Sequence, residues 1–99
     1  MQTHSITLGM NIPDAGTVTN QMWIDFLNVT VLASLEYATI TDSVGIYKGT
    51  LEKSKTISVT TEDPAAVDAL LKVGDAYKNA FNQDAIMYTV LPVPILQFT

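Results

Sequence analysis

Between Thr39 and Val59 the chain reads TITDSVGIYKGTLEKSKTISV, and Asp42, Tyr47, Glu52, Ser54 and Lys55 fall within fourteen residues of it. Two apparent strands meet in this stretch. On a hairpin, Tyr47 and residues 52–55 lie across from one another, so a phenol, a carboxylate, a hydroxyl and an ammonium can face one pocket and hold a small polar molecule. A structural account is equally open: Tyr47 as an amphipathic residue with its hydroxyl at the rim of the core, and Glu52, Lys53 and Lys55 as a solvated hairpin tip. A second polar group, Asn82-Gln83-Asp84, stands where a helix gives way to a strand.

Other chemistries are excluded by what is missing. The chain has no cysteine, so disulfides, thiolate metal sites and a thiol nucleophile are ruled out, and its one histidine cannot build a His-rich metal centre. His4 reads as an exposed residue ahead of the first strand. Asp14, Asp25, Asp63, Asp68 and Asp75 fall in turns, at a cap or on outer helix faces, without metal-ligand spacing, so no metal is expected. GTLEKSK lacks the paired glycines and following helix of a phosphate-binding loop. With five Lys and Arg against ten Asp and Glu, the net charge of −5 argues against nucleic acid and anionic lipid surfaces. No basic stretch leads into an apolar run and no segment reaches the ~20 apolar residues of a membrane span. The expectation is a soluble, cytoplasmic protein.

Elements must position the hairpin residues, and 99 residues at 47% hydrophobic content allow one domain, residues 1–99. Residues 4–12 alternate, with Ile6, Leu8, Met10 and Ile12 on one side, as in a half-buried strand. Thr19 caps a helix whose stripe is Trp23, Phe26, Leu27, Thr30 and Val31 and which ends near Ser34, its β-branched C-terminal part being the weaker. Tyr37–Tyr47 reads as a second strand with a bulge or bend at Asp42 and Ser43, and Lys55–Thr61 as a third, joined by the loop KGTLEK. Asp63 as cap and Pro64 at the first helical position open a second helix to about Phe81, with Gly74 inside its stripe allowing close approach to the sheet. Ala85–Val90 is the fourth strand, and Pro92 and Pro94 confine it to an edge. The order β-α-β-β-α-β is the ferredoxin-like α+β plait, an antiparallel four-stranded sheet with both helices on one face. Met87, Thr89 and Leu91 share the uncovered face, which predicts a homo-oligomer. The fourth strand lies beside the first, so Asn82 and Gln83 need not meet the hairpin within one protomer. Across an oligomer interface they can.

The pattern Thr41-Asp42-x-x-Gly45-x-Tyr47, then Lys53-Ser54-Lys55-Thr56-Ile57, then a helix ending in Gln83-Asp84-Ala85-Ile86-Met87 resembles the small phage-encoded S-adenosylmethionine lyases, formerly called hydrolases, over roughly residues 39–90. Pro13, Asp14, Gly16, Val18, Trp23 and Phe26, the Ser-Lys strand start, and Tyr77-Lys78-x-x-Phe81-x-Gln83 resemble an uncharacterised family of small bacterial proteins over nearly the whole chain. The lyase resemblance implies a homotrimer holding its substrate between subunits. It also implies conversion of S-adenosylmethionine to methylthioadenosine and homoserine lactone, which lowers the host's S-adenosylmethionine (anti-restriction) and needs no cofactor. On that resemblance Tyr47 positions the aminoacyl end, and Glu52 is the carboxylate near the ammonium or sulfonium. Ser54 supports it and Gln83 lies near the ribose. Asp42 and Asn82 complete the substrate-binding set, Asn82 standing where the lyases carry a glutamate. The alternatives are a non-enzymatic small-molecule or protein binding module of the same fold, and an enzyme acting on a different small substrate.

Overall fold

The computed structural model describes residues 1–99. Strand β1 (Gln2–Gly9) pairs antiparallel with β5 (Thr50–Thr61) on one side and with β6 (Met87–Pro92) on the other, and β4 (Thr39–Tyr47) pairs with β5, giving the sheet order β4-β5-β1-β6. A separate two-stranded ribbon, β2 (Asn11–Ile12) with β3 (Gly16–Thr17), follows β1. The helical layer consists of α1 (Asn20–Phe26), a π-helical turn (Leu27–Val31) and α2 (Leu32–Ser34) in continuous succession, and of α3 (Pro64–Ala80). The connectivity is that of the ferredoxin-like plait.

Each element forms for a local reason. Along β1 the buried residues His4, Ile6 and Leu8 alternate with half-buried polar ones, and along β5 Ile57, Val59 and Thr61 do the same, so the two central strands turn one apolar face to the helices. Thr19 accepts a hydrogen bond from Met22 N–H at 3.2 Å and starts α1. The β-branched run Val29-Thr30-Val31 crowds the α-helical turn, and the backbone widens there, with Leu32 N–H reaching back to Leu27 O. Asp63 Oδ1 accepts from Ala65 N–H at 2.9 Å, and Pro64 starts α3. Leu70, Val73 and Tyr77 of α3 meet Ile6, Leu8, Ile57 and Val59 of the sheet and Trp23, Phe26 and Val31 of the first helical arm in one core. The Tyr77 ring stands edge-on to Phe26 at 5.3 Å between centroids and lies 4.8 Å from Phe81, which locks the two helical arms together.

Several expectations need correction. Strand one stops at Gly9 and not at Ile12, because Met10 bends away into the small ribbon whose turn uses Asp14 and Gly16 at positive φ. No bulge interrupts β4: its register with β5 runs unbroken from Thr39↔Ser58 to Tyr47↔Thr50. The connecting loop is two residues, Lys48 and Gly49, at φ 50° and 77°, the primed-turn geometry that matches strand twist, so Thr50–Ser54 belong to the strand and not to a loop. The last strand is displaced to Met87–Pro92, with Pro92 at its end on the open edge. His4 is buried, its Nδ1 hydrogen-bonded to Tyr88 Oη at 2.6 Å; it lies inside β1 on the same face as Ile6. A Cβ on Gly74 would sit 3.7 Å from Ile6 and Ile86, ordinary contact, so the close approach does not require glycine there.

Candidate functional site

The strict register sorts the hairpin residues by face. Ile57 points to the helices, so odd positions of β5 share the helix side and even positions the open side, and in β4 the parity is reversed. Tyr47, Ser43, Glu52 and Ser54 therefore stand on the open face, whereas Asp42, Lys53 and Lys55 stand on the helix face. Asp42 and Lys55 are direct cross-strand partners, and Lys55 Nζ donates to Asp42 Oδ1 at 2.5 Å. The ammonium and phenol expected in one pocket are on opposite sides of the sheet.

The open face is a field of hydroxyls. Thr3 pairs with Thr60 at 2.7 Å, Ser5 with Ser58 at 2.8 Å, Thr7 with Thr56 at 3.2 Å and Ser43 with Ser54 at 2.7 Å, four cross-strand rungs in which each hydroxyl satisfies its neighbour. At the end of this ladder the pattern breaks at Gly9, which lies opposite Ser54. The missing side chain leaves a hollow that the Glu52 carboxylate fills: a Cβ on Gly9 would fall 2.9 Å from Oε1 and 3.1 Å from Cδ. Glu52 is half-buried there, and no side chain or backbone group hydrogen-bonds or ion-pairs with its carboxylate.

Beneath Gly9 the other face is closed by α3. Tyr77 Oη donates to Gly9 O at 2.6 Å, and its phenol is pushed up to about 12, by burial first and by the nearby negative charge of Glu52 second. One buried tyrosine thus pins the strand end that seats the carboxylate. Sequence reading missed Gly9 and Tyr77 as supports; the available signal was the single glycine breaking a Ser/Thr alternation.

Tyr47 closes the hairpin tip. It is 66% exposed, faces the same side as Glu52 and stands diagonal to it, since Tyr47 opposes Thr50 and Glu52 opposes Gly45. Lys48 Nζ lies 5.3 Å from its ring centroid. Gly45 carries no side chain and has open space over it, so nothing stands between the phenol and the carboxylate on β4.

Asn82 and Gln83 lie elsewhere, at the exit of α3. Asn82 takes φ 52°, the left-handed conformation that ends a helix and that asparagine tolerates. Gln83 Nε2 donates to Asn11 O at 2.8 Å and to Phe81 O at 3.2 Å, tying the helix exit to the β2–β3 ribbon. Within one protomer both residues perform backbone duties and neither joins the hairpin set. No group of three or more His, Cys, Asp or Glu side chains converges as a metal site, and no helix is long and apolar enough to cross a membrane.

Against solved structures, the fold is similar to that of a phage S-adenosylmethionine lyase in complex with S-methyl-5′-thioadenosine, with a TM-score of 0.65 at 18% identity over 91% of this chain and 79% of that one. The same holds for a phage S-adenosylmethionine lyase in the apo state, with a TM-score of 0.64 at 20% identity over 91% and 78%. At these identities the likeness is one of fold. No curated protein matches the chain by sequence. A family described as "Protein of unknown function (DUF3574)" matches residues 3–96, nearly the full length. The chain belongs to the DUF3574 family.

Proposed function

We propose that the protein is an S-adenosylmethionine lyase that works at the Tyr47–Glu52 edge of the open sheet face, in a site completed by a second subunit of a homotrimer. The observation that carries the reading is Glu52: a carboxylate seated in the Gly9 hollow, half-buried and without a cationic partner. Such a group is poised for a cationic ligand, and S-adenosylmethionine brings both a sulfonium and an ammonium. The fold shared with phage lyases supports the same reading.

The chemistry asks little of the protein. One oxygen of the substrate's own carboxylate attacks its γ-carbon, the carbon–sulfur bond breaks, and the electron pair goes to sulfur. The products are neutral methylthioadenosine and homoserine lactone that keeps the ammonium, with no water and no external base consumed. Catalysis then consists of folding the substrate so that the carboxylate reaches the γ-carbon and of removing water from both charges. Glu52 holds the cationic end, Tyr47 positions the aminoacyl group, and Ser54, fixed by Ser43, borders the carboxylate. Tyr47 is exposed in one protomer, and on this reading a second copy closes over it. Asp42 faces the other side and is left out of this set. In a cell the reaction would lower S-adenosylmethionine and deprive restriction systems of it.

Asn82 and Gln83 favour a second reading, a non-enzymatic binding module, because their backbone duties withdraw them from a ribose site. Incubating the purified protein with S-adenosylmethionine separates the two. Methylthioadenosine and homoserine lactone in equal amounts support the lyase; unconverted substrate at stoichiometric protein refutes it.

A further inference from the structure

On the helix side of the hairpin the sheet runs on past the start of α1, and there Asp42, Val44, Lys53 and Lys55 stand as two adjacent cross-strand pairs. They form one wall of a cleft of about 420 Å³ whose other wall is Met10, Val18 and Asn20. That volume falls among those of small-molecule sites, and the lining is mainly polar, with three apolar side chains among nine residues.

The charges in this cleft are only partly paired within the protein, and the rest face solvent, the Asp42 side chain being 78% exposed. Lys55 is committed, with Nζ bonded to Asp42 Oδ1 and 5.4 Å from the centroid of the Trp23 ring. Asp42 Oδ2 is left without a donor. Lys53, like Lys48 at the hairpin tip, has no carboxylate partner, whereas Lys55, Lys72 and Lys78 each have one. Two exposed groups of opposite sign are thus accessible to a ligand, one ammonium and one carboxylate oxygen, on diagonal positions of one sheet face roughly 7–8 Å apart at the backbone. Met10, Val18 and Val44 lie beside them. A lone anion would satisfy Lys53 but meet Asp42, and a lone cation the reverse. A zwitterion with an apolar body satisfies all three.

We propose that this cleft binds a free α-amino acid with an apolar side chain. Its carboxylate pairs with Lys53, its ammonium with Asp42, and its side chain packs on Met10, Val18 and Val44. The site lies on the opposite sheet face from Tyr47 and Glu52 and does not rest on the lyase reading.

The test is a titration of the 15N-labelled full chain with L-leucine, followed by amide shifts, with leucine amide and N-acetyl-leucine as controls. Saturable shifts at the cleft residues are expected for L-leucine, with both blocked forms binding at least about tenfold more weakly. Lys53→Met, an exposed change that leaves the core intact, and Asp42→Asn should each weaken leucine binding by about tenfold or more at unchanged melting temperature. Absence of saturable shifts at the cleft, equal binding of the blocked forms, or full affinity in Lys53→Met would each overturn the proposal. Because Lys53 has no part in the lyase set, a protein that turns over no S-adenosylmethionine still decides this question either way.

Discussion

Replacing Gly9 with alanine tests the seat of Glu52 by adding a single carbon. That carbon would come within 2.9 Å of Oε1, 3.1 Å of Cδ and 3.2 Å of Oε2, closer than the roughly 3.3–3.6 Å of even favourable carbon–oxygen contacts. The backbone offers no resistance, since Gly16 and Gly49 are the glycines at positive φ and Gly9 is not among them. Relief must come from the carboxylate, the far end of a flexible side chain, which moves by several tenths of an ångström or more. Stability should therefore hardly change: removing a strand glycine contributes about 0.5–1 kcal/mol, and re-seating Glu52 offsets some of it. Activity should change a great deal. Productive sites hold their groups to about 0.5 Å, and a 1 Å misplacement costs about a hundredfold, so a fall of roughly ten- to a hundredfold in methylthioadenosine formation is expected. Thermal melting and product formation on the same sample check both halves. Wild-type turnover in a folded Gly9→Ala protein would refute the reasoning that the Gly9 hollow places the catalytic carboxylate.

Three further outcomes follow from individual residues. The Tyr77 phenol, raised to about 12, keeps its proton more tightly in the folded than in the unfolded chain; its contribution is complete below the ordinary tyrosine value of about 10 and is lost as pH rises through 12, on the order of 2–3 kcal/mol. Urea melts at pH 8 and 11 should show a steeper alkaline loss in wild type than in Tyr77→Phe, and equal losses would contradict the assignment. Gly74→Ala should raise stability by about 1 kcal/mol, because helix propensity improves and the added methyl meets Ile6 and Ile86 at 3.7 Å; a lowered urea midpoint would show that the helix–sheet interface does not accommodate the methyl. Gly49→Ala should cost about 1–2 kcal/mol, since Gly49 sits at φ 77° in the hairpin turn, and an unchanged midpoint would mean that the tip contributes nothing to stability.

The plait was legible because its signals are local. Asp63-Pro64 and the stripe through Leu70 and Tyr77 define α3, and alternation around Ile6 and Ile57 defines the central strands. The hairpin was harder to place. Lys48-Gly49 is not the Asn-Gly pair that announces a two-residue turn, and the polar residues of Thr50–Ser54 look like loop, so the turn reads as six residues. That error hid the register, and the register decides which face each side chain takes. With it, Asp42 and Lys55 separate from Tyr47 and Glu52; His4 joins Ile6 on the buried face because β1 begins at Gln2, ahead of it. Asn82 ends α3 in the left-handed conformation, a local role, but those of Gly9 and Gln83 depend on contacts between residues far apart in sequence, with Glu52 for Gly9 and Asn11 for Gln83, which no local pattern carries.

The most direct measurement is the rate of methylthioadenosine formation from S-adenosylmethionine by wild type and by Glu52→Gln at matched melting temperature. The side chain is half-buried near the hairpin end of β5 with no bonded partner, so the amide should fold as well as the acid. If Glu52 holds the cationic end so that the substrate's carboxylate reaches its γ-carbon, turnover in Glu52→Gln falls by about a hundredfold or more, ~2.7 kcal/mol of barrier. Equal rates in the two proteins, or no methylthioadenosine from wild type, would contradict a lyase built on Glu52.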